Sequence, residues 1–271
     1  MGHVLHTFKF RNLTSEVSVT YCIAIKTDQG LVFCSDSRTN AGVDNVSTYS
    51  KMHTFSWIGN RSFTLLSAGN LATTQFVLKQ LSQDLEYQAM RNLLTVESVQ
   101  DAADYIGQIS ADVQKHQAAR DHMGSNFEAS FIIGGQVLNK EQEMYMIYPQ
   151  GNYIYESPAH PFLQIGETKY GKPILDRVIR SDTSLERAAR CALVSMNSTI
   201  RSNATVGSPI ELQLYTRDSL EEGRNIILHD DDHLAKNISD RWNEGLLKAL
   251  DHLPCFPWEE PQADSECDKS L

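Results

Sequence analysis

A threonine hydroxyl is a weak nucleophile until a base takes its proton. A threonine at the head of a chain carries such a base itself. Its free α-amine titrates near ~8 and can accept the hydroxyl proton at neutral pH. Thr20 opens the apolar run Thr20-Tyr21-Cys22-Ile23-Ala24-Ile25-Lys26. A second run, from Leu31 to Ser35, ends at Asp36 with Arg38 just beyond, and Lys51 opens the next. A lysine close to the amine lowers its pKa by like-charge repulsion. An aspartate paired with that lysine keeps it charged and in place. Nucleophile and base then sit on one residue, so bringing them together costs little. The working hypothesis is Thr20 as nucleophile, with Asp36 and Lys51 as its supporting pair. It requires a chain that begins at Thr20, whereas the sequence begins at Met1. By residue type alone, a threonine opening a strand, an aspartate ending one and a lysine on a polar face are ordinary structural residues.

The flanking patterns predict what would hold these groups. Asp28-Gln29-Gly30 is a turn signal, so residues 20–26 and 31–36 read as a β-hairpin that returns Asp36 beside Thr20. Ser37–Ser50 reads as a polar loop with an Ala41-Gly42 turn. Residues 51–57 and 61–67 read as a second hairpin about Gly59-Asn60. Ala68-Gly69-Asn70 breaks that strand and precedes helical spacing over 71–90. A main-chain N–H at Gly69 is the candidate oxyanion donor, because glycine lets a substrate approach the backbone and the following helix adds a positive dipole end. Further helices are expected at about 96–120, 172–179, 184–199 and 233–250. Strands are expected at 129–134, 144–148, 152–156, 162–165, 210–215 and 225–228. Runs of strands separated by helix pairs argue for two stacked antiparallel sheets, each covered by helices, rather than βαβ winding.

Composition narrows the function classes. The 271 residues carry a net charge of −10, and no Lys/Arg cluster offers phosphate contacts, so no nucleic-acid partner is expected. No run approaches ~18 apolar residues, so no membrane partner is expected either. Residues 1–19 lack the unbroken apolar core of a secretory signal. The cysteines number five, an odd count without a CxxC pair, and read as free thiols in a reducing cytoplasm. His229-Asp230-Asp231-Asp232-His233 reads as a loop and helix start rather than a metal site. Ser35 and Ser37 flank Asp36 without a histidine motif, which argues against a Ser-His-Asp triad. Cys22 and Cys34 read as packing residues. The span from 251 to 271, rich in proline and acid, is expected to be a disordered tail.

The stretches TYCIAIK at 20–26 and GLVFCSDSRTNAG at 30–42, followed by Lys51, resemble the start of the proteasome β-subunit family. Within that family they resemble the Anbu branch, the bacterial homologues also called ancestral β subunits. SAGNLATTQ at 67–75, FIIGG at 131–135, QIGETKYGKPILDR at 164–177 and SMNSTIRSNATVGSPIEL at 195–212 are similar to that branch too. The spacings from Thr20 to Asp36 and to Arg38 are those of proteasome β subunits, while Lys51 falls one residue nearer.

The resemblance implies an α+β fold, the four-layer αββα sandwich of N-terminal-nucleophile hydrolases, over residues 20–250. It implies a threonine-type endopeptidase that works in a homo-oligomeric ring or open spiral in the cytoplasm, with no metal and no cofactor. It places the nucleophile at Thr20, its supporting pair at Asp36 and Lys51, a structural arginine at Arg38 and the oxyanion glycine at Gly69. After Gly166, Glu167 stands where proteasome subunits have a serine. The family's later Asp and Ser fall around Ser202-Asn203, without a clear acid. The family cleaves itself after glycine, whereas Val19 precedes Thr20 here, and a β-branched residue resists the strained backbone that step needs. The expectation is that residues 1–18 are not translated and that Val19 is a start codon read as methionine. A propeptide of unusual sequence is the alternative. Two other functions stay open: an amidohydrolase acting on a small amide or γ-glutamyl compound, and a non-catalytic assembly subunit. Whether an ATPase delivers substrate is not written in the sequence.

Overall fold

The computed structural model describes residues 20–40, 46–122, 124–256 and 258. The N-terminal extension at 1–19, the Ala41-Gly42 turn and the end of the expected tail lie outside the described residues. In chain order, β1 (Tyr21–Thr27) and β2 (Gly30–Asp36) come first, then β3 (Arg38–Asn40) and β4 (Val46–Thr48). β5 (Met52–Trp57) and β6 (Arg61–Gly69) lead into α1 (Leu71–Glu86) and α2 (Val99–Arg120). Next are β7 (Ala129–Val137), β8 (Glu143–Ile147), β9 (Tyr153–Tyr155) and β10 (Phe162–Gly166). They are followed by α3 (Lys172–Val178), α4 (Leu185–Ser202), β11 (Ile210–Thr216), β12 (Arg224–Leu228) and α5 (His233–Asp251).

The strands form two five-stranded antiparallel sheets, ordered β10-β1-β2-β11-β12 and β5-β6-β7-β8-β9. Period-two alternation decides what each face meets. Tyr21, Ile23, Val32 and Cys34 face α3 and α4, where Leu175, Ala188, Ala192 and Met196 close one core. Cys22, Ala24, Leu31 and Phe33 face the other sheet and meet Leu66, Ile132 and Met144. Phe63, Leu65, Phe131 and Ile133 point away from that seam onto Val77, Leu81, Ala103 and Ile106 of α1 and α2. Three apolar seams therefore separate four layers, helix–sheet–sheet–helix, as the sequence predicts. Each fully buried Phe or Leu in the seams stabilises by about 1.5–3 kcal/mol, against about 1 kcal/mol net for a hydrogen bond. Apolar packing thus sets the layering. The buried polar bridge from Gln213 to Thr54 (2.9 Å) and Thr64 fixes how the sheets sit against each other.

The span expected to be a loop holds a ribbon: β3 pairs with β4 from Arg38↔Thr48 to Asn40↔Val46. Strands this short and polar show no alternation, which is why the sequence does not predict them. Helix ends follow their caps. Asn70 accepts the Thr73 N–H at 3.1 Å and starts α1. Ser98 accepts the Asp101 N–H at 3.0 Å and starts α2 later than the spacing suggests. α5 lies along α4, with Ala235 and Ile238 on the core side. Beyond it, the rings of Phe256 and Trp258 stack with centroids 4.9 Å apart. Cys22, Cys34 and Cys191 are buried free thiols as expected, whereas Cys255 is disulfide-bonded and departs from that expectation. No helix of the described residues is long and apolar enough to cross a membrane.

Candidate active site

The hairpin places Asp36 beside the start of β1. Asp36 Oδ1 accepts the Tyr21 main-chain N–H at 3.0 Å, so the strand that follows Thr20 is tied directly to this carboxylate. Lys51 Nζ donates to the same oxygen at 2.8 Å and to the Arg38 carbonyl at 2.6 Å. The Gly207 N–H approaches Asp36 Oδ2 at 3.3 Å. Asp36 is fully buried and Lys51 is 6% exposed. Burial pushes the Asp36 carboxyl above its ordinary value; the Lys51 ammonium and the two N–H donors act the other way. Charge and donors are therefore concentrated on one carboxylate at the end of β2, where the strand pattern predicts it.

Arg38 adds a second tie. Its side chain donates to the Ala204 carbonyl at 2.8 Å, and a Cβ at Gly207 would overlap its guanidinium. The loop after α4 is thus pressed against the Asp36–Lys51 pair from the far side.

Gly166 and Glu167 lie on the other flank. β10 pairs with β1 so that Gly166 stands opposite Tyr21, and the Glu167 N–H donates to the Thr20 carbonyl at 2.7 Å. Gly166 has φ 83°, and a Cβ there would collide with that carbonyl, so only glycine fits. The Glu167 carboxylate accepts from Asn203 Nδ2 at 3.2 Å and lies 3.6 Å from Lys169 Nζ. Glu167, just after β10, and Asn203, at the end of α4, are thus paired beside Thr20.

Thr20 is buried and lines a cavity of about 210 Å³ together with Lys51 and Gly69. Gly69 ends β6 with φ 108°, and a Cβ would run into the Glu128 carbonyl. Its helix, α1, points its capped N-terminus at this region, and Leu71, Gln75 and Leu78 form one wall. Tyr49, Ser50 and His53 line it as well. Burial pushes the His53 imidazole below its ordinary value, so it is neutral at pH 7; a bond with the Ser50 backbone acts in the other direction. Burial pushes both nearby thiols, Cys22 and Cys34, well above the ordinary range, which fits packing rather than nucleophilic roles.

All seven residues singled out in the sequence (Thr20, Asp36, Arg38, Lys51, Gly69, Gly166 and Glu167) lie about this one region. Sequence reasoning missed Gly207, which donates to Asp36, and the bond that Asn203, a position it did name, donates to Glu167. Both residues fall within the stretch 195–212 that carries the family resemblance, which was the only signal for them. Among the described residues, no group of three or more His, Cys, Asp or Glu side chains is arranged to hold a metal ion.

The chain matches the family model for proteasome subunits over residues 18–214. It is 44% identical to a chain of the Anbu complex of Pseudomonas aeruginosa, whose structure is described as a helical assembly. That likeness covers 88% of this chain and 99% of that one, with a TM-score of 0.85. It is 40% identical to Anbu from Yersinia bercovieri, covering 89% of this chain and all of that one, with a TM-score of 0.83. Anbu from Hyphomicrobium sp. strain MC1 is also 40% identical, with 88% and 99% covered and a TM-score of 0.79. No curated protein sequence matches.

Proposed function

This chain belongs to the proteasome subunit family, with the Anbu proteins as its relatives, and we propose that it is a threonine peptidase whose nucleophile is Thr20. The observation that carries the reading is the buried Lys51–Asp36 pair, bonded at 2.8 Å, with Lys51 and Thr20 on one cavity. Removal of whatever precedes Thr20 exposes the α-amine. Lys51, held charged by Asp36, keeps that amine unprotonated near neutral pH. The amine takes the hydroxyl proton as Thr20 Oγ attacks the peptide carbonyl, forming a C–O bond. The Gly69 N–H faces the resulting oxyanion. Collapse breaks the C–N bond, and the leaving amine takes the proton from the Thr20 ammonium. Water, deprotonated by the same amine, then cleaves the ester. Glu167, with Asn203, takes the polar place beside the Thr20 main chain that a serine fills in other family members. The helical assembly of the Pseudomonas relative supports a homo-oligomer here as well.

Among the described residues that line the cavity no charge is unpaired, because Lys51 is engaged by Asp36 and His53 is neutral. A charged side chain buried there loses about 3 kcal/mol or more, which is about 100-fold in rate. Peptides with an uncharged residue before the scissile bond are expected to outpace those with Asp or Lys there by that factor. Initial rates on a matched fluorogenic panel check this. Equal rates across the panel, or turnover of small amides with no peptide cleaved, would replace the peptidase reading with the amidohydrolase one.

A further inference from the structure

Glu211 is a half-buried carboxylate that the steps above leave unused. β11 pairs with β2 so that Glu211 stands opposite Ser35, next to Asp36. From this sheet its side chain crosses to the other one, at the point where β5 begins. Oε2 accepts from Ser50 Oγ at 2.8 Å and lies 3.5 Å from Ser35 Oγ. The Met52 main-chain N–H donates to the same Ser50 Oγ at 3.3 Å. Ser50 Oγ in turn lies 2.8 Å from the Met52 carbonyl, so residues 50–52 are folded tightly about this one hydroxyl.

Lys51 is thereby held at both ends by the sheet it does not belong to. The residue before it, Ser50, is bonded through its hydroxyl to Glu211 on β11, and the Lys51 ammonium itself to Asp36 on β2. A lysine has four rotatable side-chain bonds, so contacts to Asp36 and the Arg38 carbonyl at its tip still let the ammonium shift when its own backbone shifts. A displacement of about 1 Å can cost about 100-fold in rate.

We propose that Glu211 is a positioning residue: by gripping Ser50, whose hydroxyl also binds the main chain of Met52 on the far side of Lys51, it sets the distance of the Lys51 ammonium from the Thr20 amine. This rests on the reading of Thr20 as the nucleophile. With Glu211 changed, Lys51 sits less firmly by the amine, depresses its pKa less, and slows acylation at neutral pH. The other titratable groups about Thr20 (Cys22, Asp36, Arg38, Lys51, His53 and Glu167) stay in place.

The test is the rate of Thr20 acylation by an electrophilic peptide, followed against pH in the full-length wild type, Glu211→Gln and Glu211→Asp, with unfolding measured in parallel. Glu211→Gln is expected to fold, to acylate about 10- to 100-fold more slowly at pH 7, and to show a pH midpoint moved upward. Glu211→Asp is expected to recover part of both. If the wild type is acylated and the variants lose only stability, keeping the wild-type rate and midpoint, Glu211 is a structural tie and the inference is overturned. If the wild type is not acylated at Thr20, the functional reading fails and this inference falls with it.

Discussion

Thr20→Ala is expected to lower peptide hydrolysis by about 10⁴-fold or more, with the fold left intact. The two halves of that expectation have separate physical grounds. Loss of the hydroxyl removes the atom that forms the acyl bond, and nothing else at the site replaces it. Cys22 and Cys34 are fully buried with thiols pushed to high pKa, and Lys51 is bound to Asp36. The fold survives because Thr20 is tied in through its main chain. Its carbonyl accepts from Glu167, and alanine keeps that bond. Thr20→Ser, which keeps both hydroxyl and amine, is expected to retain measurable turnover. Initial rates with the best peptide of the panel, beside denaturant unfolding of each variant, check both halves. Unchanged hydrolysis in Thr20→Ala would place the nucleophile elsewhere.

Lys51→Met is expected to abolish turnover and also to cost about 3–5 kcal/mol of stability, because it leaves a buried carboxylate without its counter-ion. Asp36 keeps the Tyr21 and Gly207 donors, but burial then acts on it with less opposition. Its folded-state pKa rises further above the unfolded value, so the folded state binds the proton more tightly. The loss should accordingly be smallest in acid and grow as pH rises through and above the ordinary aspartate range near ~4. Adding Asp36→Asn removes the buried charge and is expected to recover part of the stability and none of the activity. Urea unfolding of the single and double variants at several pH values checks the sign. A single variant that is most stable at neutral pH would mean that the pair is not the buried ion pair described here.

The local features of the site were legible because they are local. The β1–β2 hairpin follows from two apolar runs and a turn, and it alone brings Asp36 to the head of β1. Gly69 and Gly166 stood out at strand ends, and the structure gives each a positive φ that glycine accommodates. The layering followed from the order of elements, runs of strands separated by helix pairs; in the structure, even and odd positions of β1 and β2 feed different seams. The donors and acceptors that arrive from far along the chain were not legible. Gly207 meets Asp36, Glu211 meets Ser50, and Asn203 meets Glu167 only because β11 lies against β2 and β10 against β1. Residue type and spacing carry no trace of such register. The β3–β4 ribbon escaped for a related reason: its strands are too short to show a period.

The central claim is that one residue supplies both hydroxyl and amine. A peptide α′,β′-epoxyketone tests both at once, because its ketone takes the hydroxyl, its epoxide takes the amine, and a ring closes only on a residue that has the two. Protein from native expression, treated with this reagent and mapped by mass spectrometry, is expected to carry one intact reagent, doubly attached at Thr20. Thr20 found in peptide linkage to a preceding residue and free of adduct, or an adduct on any other side chain, would contradict the account.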